Sequence, residues 1–239
     1  MPGPVALVGS GEFLAVMRDT DARLLAGRPQ RAVFLPTAAA EEGDKRVRYW
    51  LDLGVRHYQS MGVEPVALAV LDPGDADSDW AAREIDGAGL IYLSGGDPGY
   101  LAATLRDSAV WEAIVAAWRG GAAVAGCSAG ACALTAVANH VRSGAAGLGL
   151  GLIPHLAVMP HFDLFRSRAP ARVAALVASA GDQLTVVGID EDTALVGGPV
   201  HFVVEGRSSV WVYGAAGEEP TQFEPGDEVE LPPPPPLAG

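Results

Sequence analysis

The chain has 239 residues, of which 49% are hydrophobic and 19% are charged, and its formal net charge is −13 at pH 7. This length and composition suit a globular protein with a substantial core, and they exclude a chain that is disordered throughout. Because phosphate groups are bound by clustered lysine and arginine, the negative charge argues against nucleic acids and anionic membrane surfaces as partners.

The two cysteines, Cys127 and Cys132, predict neither a disulfide nor a metal site. They lie five residues apart at the start of a predicted helix, and no Cys/His cluster has metal-ligand spacing. We therefore expect two core thiols, no metal and no cofactor. The amino terminus lacks a basic segment followed by a signal-peptide core, and no apolar run reaches membrane-spanning length, so we expect a cytoplasmic protein.

The first half of the chain alternates predicted strands with predicted helices. Short apolar runs predict strands at residues 5–8, 32–35, 63–71 and 90–93. Helical apolar spacing covers residues 44–61, whereas the polar stretch 72–79 predicts an exposed loop. The glycine turn at residues 9–12 lacks the third glycine of a dinucleotide fingerprint and the lysine of a P-loop. We interpret it as a structural turn in preference to a phosphate loop.

The second half begins with a Ser-Gly-Gly-Asp turn at residues 94–97, where Asp97 is suited to cap the helix that Pro98 begins. Helical runs follow at residues 101–105 and 110–118, and an apolar run leads into Ser128. Later strands are predicted at residues 157–159, 185–189, 194–196, 202–204 and 210–212. Glycine or charged turns join the last four strands, which indicates antiparallel pairing.

These elements predict an α/β fold with a mostly parallel central sheet, helices on both of its faces and antiparallel strands near the carboxyl end. We expect a single domain over residues 1–230. The remaining residues, 231–239, include a proline run and are predicted to form a disordered tail.

A Gly-x-Ser-x-Gly corner at residues 126–130 places Ser128 between an apolar run and an alanine-rich helical run. A strand that turns abruptly into a helix exposes the serine hydroxyl and points free backbone N–H groups toward the group that the serine attacks. The motif is short, and a plain strand-to-helix turn is the alternative interpretation. As a nucleophile, Ser128 would require a base and an oxyanion hole.

Of the five histidines, His161 is the candidate base, since it follows a predicted strand that ends at the same sheet edge as Ser128. His57 and His201 are interpreted as packing or surface residues. The N–H of Ala129 follows the nucleophile directly, and the N–H of Gly96 on the glycine turn is a second candidate donor to the oxyanion.

An ordered set of motifs resembles peptidase family S51, the serine peptidases that include aspartyl dipeptidase and cyanophycinase. The matching segments are residues 9–12, 35–38, 94–97, 126–131, 149–154, 161–163 and 188–194. The resemblance implies a fold similar to class I glutamine amidotransferases, with Ser128 as nucleophile, His161 as base and the Gly96 and Ala129 amides as oxyanion hole. It also implies a small peptide as substrate and suggests a homodimer.

The same resemblance places substrate-binding residues around the site. We assign Arg166 and Arg168, which follow the histidine, to the substrate carboxylate, and we add Asp97 and Asp163 from the matching motifs. The cyanophycinase subgroup carries an acid two residues before the histidine and a glutamine after the Gly-Gly-Asp turn. This chain has Met159 and Pro98 there, so we expect a substrate other than β-aspartyl-arginine.

Family members are expected to carry an acidic triad residue between the serine and the histidine, yet residues 129–160 contain neither Asp nor Glu. The candidates for orienting His161 are therefore Asn139, Ser143, Asp163, Asp190, Glu191 or no residue at all. Without such a group, turnover falls about 10⁴-fold in serine hydrolases.

Three hypotheses follow for the function. The first is a serine hydrolase that cleaves a small peptide or isopeptide with an acidic residue near the scissile bond. The second is a catalytically impaired relative that binds a ligand or a partner protein. The third is a glutamine-amidotransferase-like enzyme, which we place below the first two because the cysteine stands at position 127 and not at 128.

Overall fold

The computed structural model describes residues 1–141, 143–181, 183–214 and 219–233. Its strands are β1 (Val5–Val8), β2 (Arg31–Leu35), β3 (Glu64–Ala67), β4 (Leu90–Leu93), β5 (Ala123–Cys127), β6 (Leu156–Met159), β7 (Thr185–Ile189), β8 (Thr193–Gly197), β9 (His201–Gly206), β10 (Val210–Tyr213), β11 (Thr221–Phe223) and β12 (Glu228–Glu230). Its α-helices are α1 (Arg18–Leu25), α2 (Asp44–Ser60), α3 (Pro73–Ala76), α4 (Asp79–Arg83), α5 (Pro98–Leu105), α6 (Ala109–Arg119), α7 (Ala129–Leu134), α8 (Phe162–Arg168) and α9 (Pro170–Ala180). Two 3₁₀ segments cover Ala15–Met17 and Thr37–Glu42.

The strands form two sheets. The larger has the order β12-β9-β8-β1-β5-β4-β2-β3. Its strands β1, β5, β4, β2 and β3 are parallel, whereas β8, β9 and β12 join them antiparallel. The smaller sheet has the order β11-β10-β7-β6. This architecture confirms the predicted α/β class, with a mainly parallel central sheet and antiparallel strands near the carboxyl end.

Both faces of the larger sheet are apolar, and helices cover both. Side chains alternate along a strand, so that Leu7 in β1 belongs to the core cluster on one face and Val8 to the cluster on the other. Ile114 of α6 packs in the first cluster, and Leu24 of α1 and Tyr58 of α2 pack in the second. This double coverage explains why the strands appear in the sequence as continuous apolar runs.

Two predicted segments between β2 and β4 differ in part from the structure. The strand predicted at 63–71 ends at Ala67, because Val70 donates its N–H to the oxygen of Leu68 and so turns the chain. The loop predicted at 72–79 contains α3 and the start of α4. The Asp72 carboxylate accepts the N–H of Asp75, and this cap begins a short helix.

The predicted antiparallel pairing of residues 185–189 is confirmed on one side, where β7 pairs antiparallel with β10, whereas on its other side β7 pairs parallel with β6. The chain crosses over through α8 and α9 between these two strands, and such a connection returns it in the same direction. Leu231, assigned to the tail, is buried, and its N–H donates to the oxygen of Val200. The folded part therefore extends beyond residue 230, and residues 234–239 of the predicted tail lie outside the described residues.

Candidate active site

Ser128 stands at a sharp corner between β5 and α7. Its backbone has φ 51° and ψ −106°, a combination that L-residues rarely adopt and that marks a strained turn. A Cβ on Gly126 would lie 2.4 Å from the carbonyl carbon of Gly130, and a Cβ on Gly130 would lie 2.1 Å from the oxygen of Leu93. Only glycine at these two positions permits the corner, which has the predicted arrangement of strand, turn and helix.

His161 lies beside Ser128 as predicted, but the expectation that both follow strands of one sheet was wrong, because β6, which precedes His161, belongs to the smaller sheet. Its Nε2 atom is 2.9 Å from Oγ of Ser128, and its Nδ1 atom is 3.0 Å from Oε1 of Glu191. A neutral imidazole with its proton on Nδ1 donates to the carboxylate and accepts the serine hydroxyl through Nε2. The three side chains thus form a hydrogen-bonded chain with the same order of groups as the serine, histidine and acid of serine hydrolases.

Glu191 lies in the turn between β7 and β8. Its backbone N–H donates to Oδ1 of Asp163 over 3.2 Å. Asp163 therefore ties the turn to α8, the helix that begins directly after His161. The acid comes from a segment after the histidine, whereas family members are expected to carry it between the serine and the histidine, and Glu191 is one of the candidates that the sequence left open.

Three other candidates for orienting His161 form hydrogen bonds with groups other than the His161 ring. Asn139 accepts the N–H of Gly147, and Ser143 accepts the N–H of Ala145. Asp190 accepts the N–H of Ser209 and the indole N–H of Trp211, and burial raises its pKa. Of the candidate residues, the structure places Glu191 at the Nδ1 atom.

The turn at residues 94–97 presents one free N–H beside the serine corner. Gly95 donates its N–H to Oε1 of Glu12, and Asp97 donates its N–H to the oxygen of Ala38. For the N–H of Gly96, between them, the described residues provide no acceptor. The N–H of Ala129 has no partner within its helix, since Ala129 is the first residue of α7. These are the two N–H groups that the sequence predicts as candidate oxyanion donors.

Glu12 connects the turn that contains Gly96 with the strand that ends before Ser128. Its side chain is buried, and it accepts the N–H of Gly95 through Oε1 and the thiol of Cys127 through Oε2. Burial and the nearby Glu12 carboxylate raise the pKa of the Cys127 thiol well above its ordinary value, which keeps this thiol protonated and poorly nucleophilic. In the sequence, Glu12 stands out only as the last residue of a glycine turn. The available signal was an acidic residue at the carboxyl end of β1, the neighbour of β5.

The predicted substrate-binding residues Asp97, Arg166 and Arg168 differ from one another in their surroundings. Asp97 caps α5 by accepting the N–H of Tyr100, and it also accepts the N–H of Val141. The guanidinium carbon of Arg166 lies 4.0 Å from the ring centre of Trp211, and Arg168 is exposed on α8. Neither arginine is among the residues that line the cavity at Ser128.

A cavity of about 290 Å³ opens at the catalytic groups. Ser128, His161 and the Gly95–Gly96 turn line one part of it, and α2 with its preceding 3₁₀ segment lines another part. A larger hollow of about 620 Å³ lies at the amino ends of β2, β4 and β5 and is lined mainly by small residues. Ligands of open α/β sheets bind at the carboxyl ends of the strands, and so the smaller cavity is the candidate binding site.

Two findings concern metals and membranes. Within residues 1–141, 143–181, 183–214 and 219–233, no three His, Cys, Asp or Glu side chains are grouped so that they could hold a metal ion. Over the same ranges, no helix has the length and apolar character that a membrane span requires.

A family model and individual relatives, both matched by sequence, agree with each other. The model of peptidase family S51 matches residues 5–198. A cyanophycinase of Trichormus variabilis is 33% identical over 178 residues, which cover 68% of this chain and 56% of that protein. A cyanophycinase of Synechococcus elongatus is 29% identical over 201 residues, covering 78% and 60% respectively. The chain thus spans less than two thirds of the length of these relatives.

Two solved structures resemble the whole fold. The crystal structure of a peptidase from an acI-B1 Actinobacterium has a TM-score of 0.87 and 34% identity, and the match covers 97% of this chain and 98% of that one. The crystal structure of a putative peptidase E from Listeria monocytogenes has a TM-score of 0.60 and 16% identity, over 94% and 99% of the two chains. At that identity, the second likeness concerns the fold only.

Proposed function

The chain belongs to peptidase family S51, and from this premise we propose that it is a serine hydrolase acting through an acyl-enzyme on Ser128. Its substrate is a small peptide or isopeptide with an acidic residue at the scissile bond. The hydrogen-bonded chain from Ser128 through His161 to Glu191, with distances of 2.9 and 3.0 Å, carries the proposal.

The reaction begins when Oγ of Ser128 attacks the scissile carbonyl carbon and transfers its proton to Nε2 of His161. Glu191 stabilises the imidazolium that forms and holds the ring in the tautomer that can accept this proton. The N–H groups of Gly96 and Ala129 donate to the oxyanion of the tetrahedral intermediate. His161 then returns the proton to the leaving amine, and the acyl group stays on Ser128.

Hydrolysis of the acyl-enzyme repeats these steps with water. His161 takes a proton from the water molecule, whose oxygen attacks the ester carbonyl carbon. The proton then returns to Oγ as the carboxylic acid leaves, so that the enzyme regains its starting state.

The rival hypotheses lose support from the same geometry. The ligand-binding relative was motivated by the lack of an acid between serine and histidine, and Glu191 fills the orienting position. A glutamine-amidotransferase-like enzyme would need a reactive cysteine, whereas the Cys127 thiol is buried and donates to Glu12.

We also propose that the protein acts in the cytoplasm. Its net charge of −13 disfavours nucleic acid as a partner. The homodimer stays a prediction from the family resemblance.

Labelling and turnover by the Ser128→Ala variant test the proposal. The wild-type chain should react with a fluorophosphonate probe and hydrolyse members of a panel of α- and β-aspartyl dipeptides, and Ser128→Ala should lose both properties. Ser167→Ala, which alters an exposed serine of α8, is the matched control and should retain both. Hydrolysis that survives in Ser128→Ala, or a wild-type chain that neither labels nor hydrolyses, would overturn the proposal.

A further inference from the structure

The α2 side of the active-site cavity carries a cation on an aromatic surface. The guanidinium carbon of Arg46 lies 4.8 Å from the ring centre of Trp50 and 5.2 Å from that of Tyr49. All three residues line the cavity that Ser128 and His161 also line. Cation–π contact with the two rings holds the guanidinium in place on this side of the cavity.

Arg46 retains donors for a ligand. Its Nε atom is 3.3 Å from Oε2 of Glu42, which leaves Nη1 and Nη2 on the outer edge of the guanidinium. The N–H bonds of a guanidinium lie in its plane, so a stacked arginine can still donate from its edge to a carboxylate. Among the described residues that line the cavity, Arg46 is the only lysine or arginine.

We infer that Arg46 binds the free carboxylate of the substrate's acidic residue, an inference that rests on the proposed hydrolase function. The protein as a whole is strongly acidic, so an anionic substrate needs a local cation to be attracted into this cavity. Arg166, which sequence analysis assigned to this role, stacks on Trp211 and is absent from the cavity lining.

Glu42 also lines the cavity, and its negative charge leads to a second expected effect on ligand binding. With Arg46 present, the two opposite charges offset each other and the guanidinium edge still provides directed donors. If Arg46 becomes neutral, the Glu42 carboxylate is left as a like charge near an anionic ligand. The charge preference of the site should then reverse and not merely disappear. Loss of the Glu42 charge should have the opposite effect and tighten the binding of anions.

Binding to the Ser128→Ala variant tests this inference without turnover. The ligands are α- and β-aspartyl-leucine, each compared with the isostere in which the free carboxylate of the aspartyl unit is an amide. Calorimetry should show at least one acidic ligand binding about tenfold more tightly than its amide, as expected for a charge-assisted contact. Adding Arg46→Met should reverse that order, Arg46→Lys should restore part of the preference, and Glu42→Gln should increase it.

Arg48→Met is the matched control, because Arg48 is exposed on the same helix but does not line the cavity. An acidic preference that survives Arg46→Met, or no acidic preference in the Ser128→Ala variant, would overturn the inference. Fluorophosphonate labelling of the wild-type chain reports on Ser128 separately. A chain that does not label but binds acidic ligands through Arg46 would overturn the hydrolase and keep the carboxylate site.

Discussion

The thiol of Cys127 donates to Oε2 of Glu12 over 2.8 Å, immediately before the serine corner. Through its second oxygen, Glu12 accepts the N–H of Gly95 on the neighbouring turn. One buried carboxylate thus connects the element that carries Ser128 with the element that carries the Gly96 amide. We therefore expect the relative position of Ser128 and the Gly96 N–H to depend on this connection.

Replacing Cys127 should therefore destabilise the fold through Glu12. Cys127→Ala removes the donor and leaves a buried carboxylate oxygen without its partner, which costs about 1–3 kcal/mol of unfolding free energy. Cys127→Ser retains a donor and should recover most of that loss. Urea unfolding of the three chains measures the difference. Equal stability of Cys127→Ala and the wild type would show that this hydrogen bond contributes nothing.

Glu191→Gln should reduce kcat strongly with little change in the fold. The amide can still contact Nδ1, but it no longer stabilises the imidazolium, and the equivalent loss in a serine protease is about 10⁴-fold. Steady-state kinetics on whichever aspartyl dipeptide the wild type cleaves would measure this effect. Asp192→Asn is the control, since the neighbouring Asp192 carboxylate forms an ion pair with Arg207. A similar loss in both variants would contradict a specific role of Glu191.

Two adjacent glycines should differ sharply in their tolerance of alanine. Gly96 has φ +145°, and a Cβ there would lie 2.2 Å from the backbone oxygen of Ala38. Gly96→Ala should therefore displace the turn and lower kcat by about 10²- to 10³-fold, the usual effect of losing one oxyanion donor. At Gly95 the nearest atom to an added Cβ is the carboxylate oxygen of Glu12 at 3.0 Å, a much less severe contact than the one at Gly96. Gly95→Ala should lose less activity, and the reverse ranking would contradict the assignment of Gly96.

Alkaline pH should destabilise the protein through Cys132. Burial raises the pKa of this thiol from 9.0 to about 12, so between these values the unfolded chain loses a proton that the folded chain keeps. Unfolding free energy should then fall as pH rises from 9, by about 1.4 kcal/mol per pH unit for this group, and the loss should level off above 12. Below pH 9 both states hold the proton and the contribution vanishes.

Cys132→Ala isolates that contribution. Unfolding measured in urea at several pH values from 8 to 11 should show a shallower decline than in the wild type. Parallel curves for the two chains would mean that the buried thiol ionises in the folded state as readily as in the unfolded one.

Local patterns in the sequence were sufficient to predict those elements of the site whose residues lie close together along the chain. Glycines at 126 and 130 around a serine predict a strand, a sharp corner and a helix, because only glycine tolerates the contacts with Leu93 and with the facing backbone. The Gly95–Gly96 turn followed by Asp97 was recognisable from helix-capping chemistry. The alternation of apolar runs and helical spacing likewise determined the α/β class.

The partners of these elements depend on contacts between distant segments. Glu191 reaches His161 because β6 and β7 pair parallel in a second sheet, a register that no local pattern specifies. Arg46 reaches the cavity at Ser128 because α2 packs beside it, although the two residues are 82 positions apart in the sequence. The sequence by itself determined which backbone corners form, since those follow from steric limits within a few residues. The tertiary structure alone decided which charged side chains meet at the serine, because charge pairs depend on distances in space.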